Sequence, residues 1–360
     1  MTYCCGWRSD SAAFVLADAA VTSPGITKPE DRTSFGELDA QKAGRCVEEA
    51  ALKVNPIGGT AVTFAGSSMA GRLIEENFAV ELKTGVSPSA ALETAVGSSD
   101  LRSLRSSAEL IAAYHDKGHP RLISWNAGGN GVVLGHFDDV QVGSVKEVYR
   151  NITKNLLGGV RKLNLDPTRE LVNALALCQS YGSFFYLMDQ GVGGVFSGAY
   201  VDASGFHWQP DILYVLVDGS LKCASGVSVI IRGNVLIADS AVLGGVRVFG
   251  NTISGDCDPS SLNEVVTESD AVFKSARYDY LVFLNAQTRI VTVVKMQKQT
   301  EHELLAVTST KGTGSPSKFA VEFSFRQKFA DILTRPRAMQ DGCTLADISI
   351  CNIPYMAPRK

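Results

Sequence analysis

Thr2 stands directly behind Met1 and is the residue with the most chemistry to offer. A threonine hydroxyl is a poor nucleophile until a base takes its proton, and a free α-amino group on the same residue can be that base. An unperturbed α-amine titrates at about 7.7–8.0, and a neighbouring ammonium holds it lower, so it can be neutral near pH 7. Such an enzyme needs Thr2 at position one, and methionine before a small residue is the kind of initiator an aminopeptidase removes. A Met-Thr start alone is uninformative. Cys4 and Cys5 alternate along an expected strand and read as packing. His115, His119 and His136 have no serine or cysteine motif to partner them and read as loop or core histidines. GxSxG, P-loop and dinucleotide fingerprints are absent, and Gly128-Gly129-Asn130-Gly131 reads as a hairpin turn.

Three short motifs give Thr2 a setting. Gly6 and Asp18 follow it within MTYCCGWRSDSAAFVLADAAVT. Leu52-Lys53-Val54-Asn55-Pro56 leads through to Thr63-Phe64-Ala65-Gly66, and Met188-Asp189-Gln190-Gly191-Val192-Gly193-Gly194 comes later. In this order they resemble the proteasome-type threonine peptidases and their bacterial relatives among the N-terminal-nucleophile hydrolases. The resemblance spans about residues 2–218. Ala19 stands where that family has Ser, Ala20 where it has Arg, and Val192 where it has Ser; the loop before Lys53 is longer than usual.

The resemblance implies roles. Thr2 is the nucleophile, Lys53 held by Asp18 tunes its amine, and the Gly66 N–H forms the oxyanion hole that acyl transfer requires. Asp189 supports the terminal amine, and Ser144, before an expected helix at 145–157, fills the family's remaining serine position. Thr22 and Gly193 are the implied substrate-binding positions. The implied function is cleavage of a peptide or amide bond through an acyl-enzyme, without cofactor or metal, in a chain that works as a homo-oligomer. The alternative is a catalytically inactive proteasome-like scaffold serving assembly or recognition.

Around these residues the pattern alternates strands and helices. Strands are expected at 2–7, 12–17, 60–65, 122–125, 132–137, 195–201 and 212–217, and a loop at 22–36. Helices are expected from Met69, at 88–96, at 104–114 and after Asp166-Pro167, with Ser67 or Ser68, Ser87 and Asp166 as caps. The expected fold is α+β: a four-layer α-β-β-α sandwich, the N-terminal-nucleophile hydrolase fold, over 1–218, with a β-rich C-terminal region over 219–360. A polar loop at 251–261 and a flexible turn at 311–317 punctuate that second region.

Composition excludes several classes. The 360 residues suggest roughly two domains, and a net charge of −3 supplies no footprint for nucleic acid. Apolar runs are too short for a signal peptide or for the ~20 residues of a membrane span, which points to the cytoplasm without membrane partners. Eight cysteines without a CxxC pair read as reduced, buried thiols.

Overall fold

In the computed structural model, residues 2–25, 32–42, 44–98, 108–126, 131–135, 139–143, 145–185, 187–217, 224–250, 278–297, 305–311, 319–325, 343–345 and 348–352 are described. The order is β1 (Tyr3–Arg8), β2 (Ala12–Asp18), β3 (Ala20–Pro24), β4 (Ala40–Lys42), β5 (Arg45–Glu49), β6 (Val54–Ile57), β7 (Thr60–Gly66), α1 (Ser68–Lys83) and α2 (Pro88–Gly97). Then come β8 (Ala108–Asp116), β9 (His119–Asn126), β10 (Gly131–Gly135), β11 (Asp139–Gly143), α3 (Glu147–Lys162), α4 (Pro167–Phe185), β12 (Phe196–Asp202), β13 (Gly205–Trp208) and β14 (Ile212–Val217). The rest is strand: β15 (Ala224–Arg232), β16 (Val235–Ser240), β17 (Gly245–Gly250), β18 (Tyr280–Asn285), β19 (Ile290–Lys295), β20 (Leu305–Lys311), β21 (Phe319–Phe325), β22 (Cys343–Leu345) and β23 (Ile348–Asn352).

Side-chain alternation along β1 and β2 divides the core. Cys4, Ala13, Val15 and Ala17 face Val54, Ala61, Ile111 and Leu122 of a second sheet. Tyr3, Cys5, Trp7, Phe14 and Leu16 point the other way, onto α3 and α4. The first sheet runs β11-β1-β2-β12-β13, and the second runs β10-β9-β8-β7-β6. The outer face of the second sheet buries Val62, Leu110, Ala112 and Trp125 under α1 and α2. Ser67 and Ser87 cap those helices, each accepting a first-turn backbone N–H.

The four-layer sandwich expected from the sequence is not the architecture of this chain. Among the described residues strand outweighs helix and is distributed over several sheets, antiparallel except for the β14–β18 pair. Beyond α4 lies an eight-stranded sheet, β17-β16-β15-β14-β18-β19-β23-β22. Its Tyr214, Val227, Val229, Val282 and Val293 join the same core as Leu171, Leu175 and Cys178 of α4. Between Glu170 and Gly182 every residue of α4 is buried, the signature of a helix covered on more than one side. A three-stranded sheet β3-β5-β4 and the hairpin β20-β21 complete the set.

One local expectation also fails. The helix expected at 104–114 is strand β8 from Ala108 onward, and the positions before it lie outside the described residues. β8 is a central strand whose Leu110 and Ala112 face the helices while Ile111 and Ala113 face the first sheet. A strand buried on both faces loses the period of two and imitates a helix. The strand expected at 212–217 is present as β14 with those bounds. It leaves the first sheet and pairs antiparallel with β15 and parallel with β18. The eight-stranded sheet therefore begins before the boundary expected at 218. Within the expected loop at 22–36, Thr22 lies on β3, opposite Val47. The positions expected for the loop at 251–261, and 312–317 of the expected turn, are outside the described residues. Among the described residues no helix is long and apolar enough to cross a membrane.

Candidate active site

Thr2 precedes β1, and Asp18 closes the neighbouring β2, so the hairpin brings the two together although fifteen residues lie between them. Asp18 is fully buried, and both of its oxygens are occupied. Oδ1 accepts from the Tyr3 N–H at 3.0 Å and from Lys53 Nζ at 2.9 Å. Oδ2 accepts from the Gly193 N–H at 3.0 Å. Lys53, 3% exposed, also donates to the Ala20 carbonyl. This is a buried ion pair with added hydrogen bonds, the arrangement in which burial of two charges is tolerated.

The segment carrying Lys53 is held from two sides. The Ala50 and Ala51 N–H groups donate to the Ala19 carbonyl at 3.0 and 3.2 Å. On the other flank the Leu52 N–H donates to the Gly250 carbonyl, at the end of β17, at 3.2 Å. The eight-stranded sheet thus takes part in positioning the lysine.

On its other edge Thr2 abuts Gly143, the last residue of β11. Gly143 has φ +106°, and a Cβ there would lie 1.8 Å from the Thr2 carbonyl oxygen, so no other residue fits. The Gly143 N–H donates to Glu109 Oε2 at 2.7 Å. Glu109 lies on β8 opposite Ala65, next to the Gly66–Ala108 pair. The bond ties the Thr2 end of the first sheet to the Gly66 end of the second. No signal marked Glu109, because the sequence pattern placed it in a helix.

The Gly193-Gly194 block meets a row of buried carboxylates. Successive N–H groups of Gly193, Gly194 and Val195 donate to Asp18, to Glu37 Oε2 at 3.0 Å and to Glu49 Oε1 at 2.7 Å. Glu49 also accepts from the Ser34 N–H and hydroxyl at 2.8 and 2.7 Å, and pairs with Arg247 of β17 at 3.3 Å. Burial raises the Glu49 carboxyl above its ordinary range, against those hydrogen bonds. Glu37 has weaker support: Thr33 Oγ1 donates to Oε2 at 3.0 Å, and Oε1 has no hydrogen-bond partner among the described residues. Burial pushes its carboxyl up to about 7. Gly194, at φ +71°, turns the chain so that three consecutive donors reach three acids.

No protein-family model matches the chain, and no curated protein matches it in sequence. The site therefore rests on its own geometry.

Of the residues singled out from the sequence, Thr2, Asp18, Lys53 and Gly193 converge at one end of the first sheet. Gly66 lies at the corresponding end of the second. The Gly193 N–H is engaged by Asp18, which makes this glycine a support for the ion pair. Asp189 is exposed on a 3₁₀ turn, Leu187–Gln190. Thr22 is half-buried on β3. Ser144 lies outside the described residues. Cys4 and Cys5 sit in separate cores, and burial pushes the Cys4 thiol up to about 12 and the Cys5 thiol well above its usual range. Neither is a thiolate near neutral pH. Among the described residues no group of acidic, histidine or cysteine side chains has the arrangement of a metal site.

Proposed function

We propose that the chain is a threonine-type hydrolase of peptide or amide bonds, active once Thr2 carries a free amine. The observation supporting this most is the buried Lys53–Asp18 pair, hydrogen-bonded to the backbone of Tyr3 immediately after Thr2. In this reading the Thr2 amine takes the proton from Oγ as Oγ attacks the substrate carbonyl. The Lys53 ammonium keeps that amine neutral, and Asp18 keeps Lys53 in place. The Gly66 N–H faces the developing oxyanion. The amine then passes its proton to the leaving nitrogen as the C–N bond breaks, leaving an ester on Thr2. Water, deprotonated by the same amine, releases the acid and restores the hydroxyl. No cofactor enters the scheme.

The test is turnover of amide substrates by the processed protein. Thr2→Ala abolishes it, Thr2→Ser retains a fraction, and Lys53→Ala lowers kcat by about 10²–10⁴-fold, the usual range for losing acid–base support. Turnover that survives Thr2→Ala contradicts the assignment. A second reading, an inactive assembly or recognition scaffold, is favoured by the 6% exposure of Thr2 and the solvent exposure of Asp189. It predicts no turnover in any variant.

A further inference from the structure

At the opposite end of the sheets a polar cavity of about 570 Å³ opens where four segments meet. The turn between β1 and β2 contributes Arg8, Ser9 and Ser11, and the start of β9 contributes His119 and Arg121. The end of α3 and the link after it contribute Arg161 and Asn164, while Glu170 comes from the first turn of α4. Arg8 lies six residues along an extended strand from Thr2, roughly 20 Å away, so this cavity is separate from the candidate active site.

Its chemistry is cationic. Three guanidiniums line it against two carboxylates, those of Asp10 and Glu170. Glu170 is already engaged, since Oε1 accepts the Trp7 indole N–H at 2.9 Å and Arg161 acts on it electrostatically. Among the described residues Arg8 and Arg121 have no carboxylate partner within ion-pair distance. Guanidinium forks and serine hydroxyls lining one cavity offer more donors than a planar carboxylate can accept, and they suit a tetrahedral oxyanion. The volume falls within the 300–1,000 Å³ typical of small-molecule sites and far exceeds a bare phosphate. We propose that this cavity binds a small phosphorylated molecule, its phosphate held by Arg8 and Arg121 and its organic part occupying the remaining space.

The full-length protein is titrated calorimetrically with inorganic phosphate, pyrophosphate, glucose 6-phosphate and citrate, at low and high salt. The proposal expects the sugar phosphate to bind more tightly than inorganic phosphate, with affinity falling as salt rises. Arg8→Gln and Arg121→Gln should each weaken it at least tenfold while far-UV circular dichroism is unchanged, and Thr2→Ala should leave it unaltered. A second measurement needs no variant: glucose 6-phosphate should protect Arg8 and Arg121 from phenylglyoxal, read by peptide mass spectrometry. Absence of both binding and protection overturns the proposal. So does citrate binding as tightly as the sugar phosphate, or binding indifferent to both arginine substitutions.

Discussion

Lys53 and Asp18 are the residues on which the proposed chemistry and the local stability both depend. Removing one partner of a buried ion pair leaves the other charge uncompensated, which costs about 3–5 kcal/mol. Lys53→Ala should lower the urea-unfolding free energy by about that amount, and a change below 1 kcal/mol would show that the pair is not buried in solution. Glu37 makes a different prediction. Its carboxyl rises on folding to about 7, so the native chain holds a proton that the unfolded chain releases. That contribution is complete below about pH 4 and is lost as pH rises through about 7, with a slope of up to about 1.4 kcal/mol per unit. Glu49, Glu75 and Glu170 are raised by burial in the same direction. Glu37→Gln, permanently neutral, should flatten the decline in stability between pH 5 and 8; an unchanged slope refutes this role for Glu37.

At the scale of elements, the sequence was most legible where one face is polar or a cap is explicit. Ser67, Ser87 and Asp166-Pro167 mark the starts of α1, α2 and α4 through local hydrogen bonds. The first hairpin was readable from its apolar strands and polar turn. β8 was not, because both of its faces are buried and its register depends on β7 and β9, which no local pattern encodes. For the same reason Glu109 was invisible, as was the link it makes between the sheets. Glu37 and Glu49 lay in segments without periodicity, and only their burial beside Gly194 and Val195 gives them meaning. Gly143 tests the element boundary that cradles Thr2. Gly143→Ala should destabilise the fold by about 2–4 kcal/mol, since backbone must move to admit the methyl group. A neutral substitution, by thermal denaturation, would show that β11 does not close on Thr2 as described.

Over the whole molecule, the C-terminal sheet is part of the same core as the candidate site. It supplies Gly250 to the Lys53 segment, Arg247 to Glu49, and a Ser240 hydroxyl that donates to the Ser34 carbonyl at 2.5 Å. In the sequence this region looks like an extension, because its strands follow the motifs and share none of them. Burying each valine or leucine against α4 contributes about 1.5–3 kcal/mol. A chain ending at residue 218 should therefore fail to fold, giving complete digestion under limited proteolysis where the full chain is protected. A protected fragment would contradict the shared core. The proposed chemistry is decided at Thr2. The purified protein is weighed intact, treated with a threonine-directed electrophile such as a β-lactone, and mapped by tandem mass spectrometry. A threonine hydrolase gives a chain beginning at Thr2 with one adduct on its side chain, lost in Lys53→Ala. A residue retained before Thr2, or no adduct on a chain that does begin there, would contradict it.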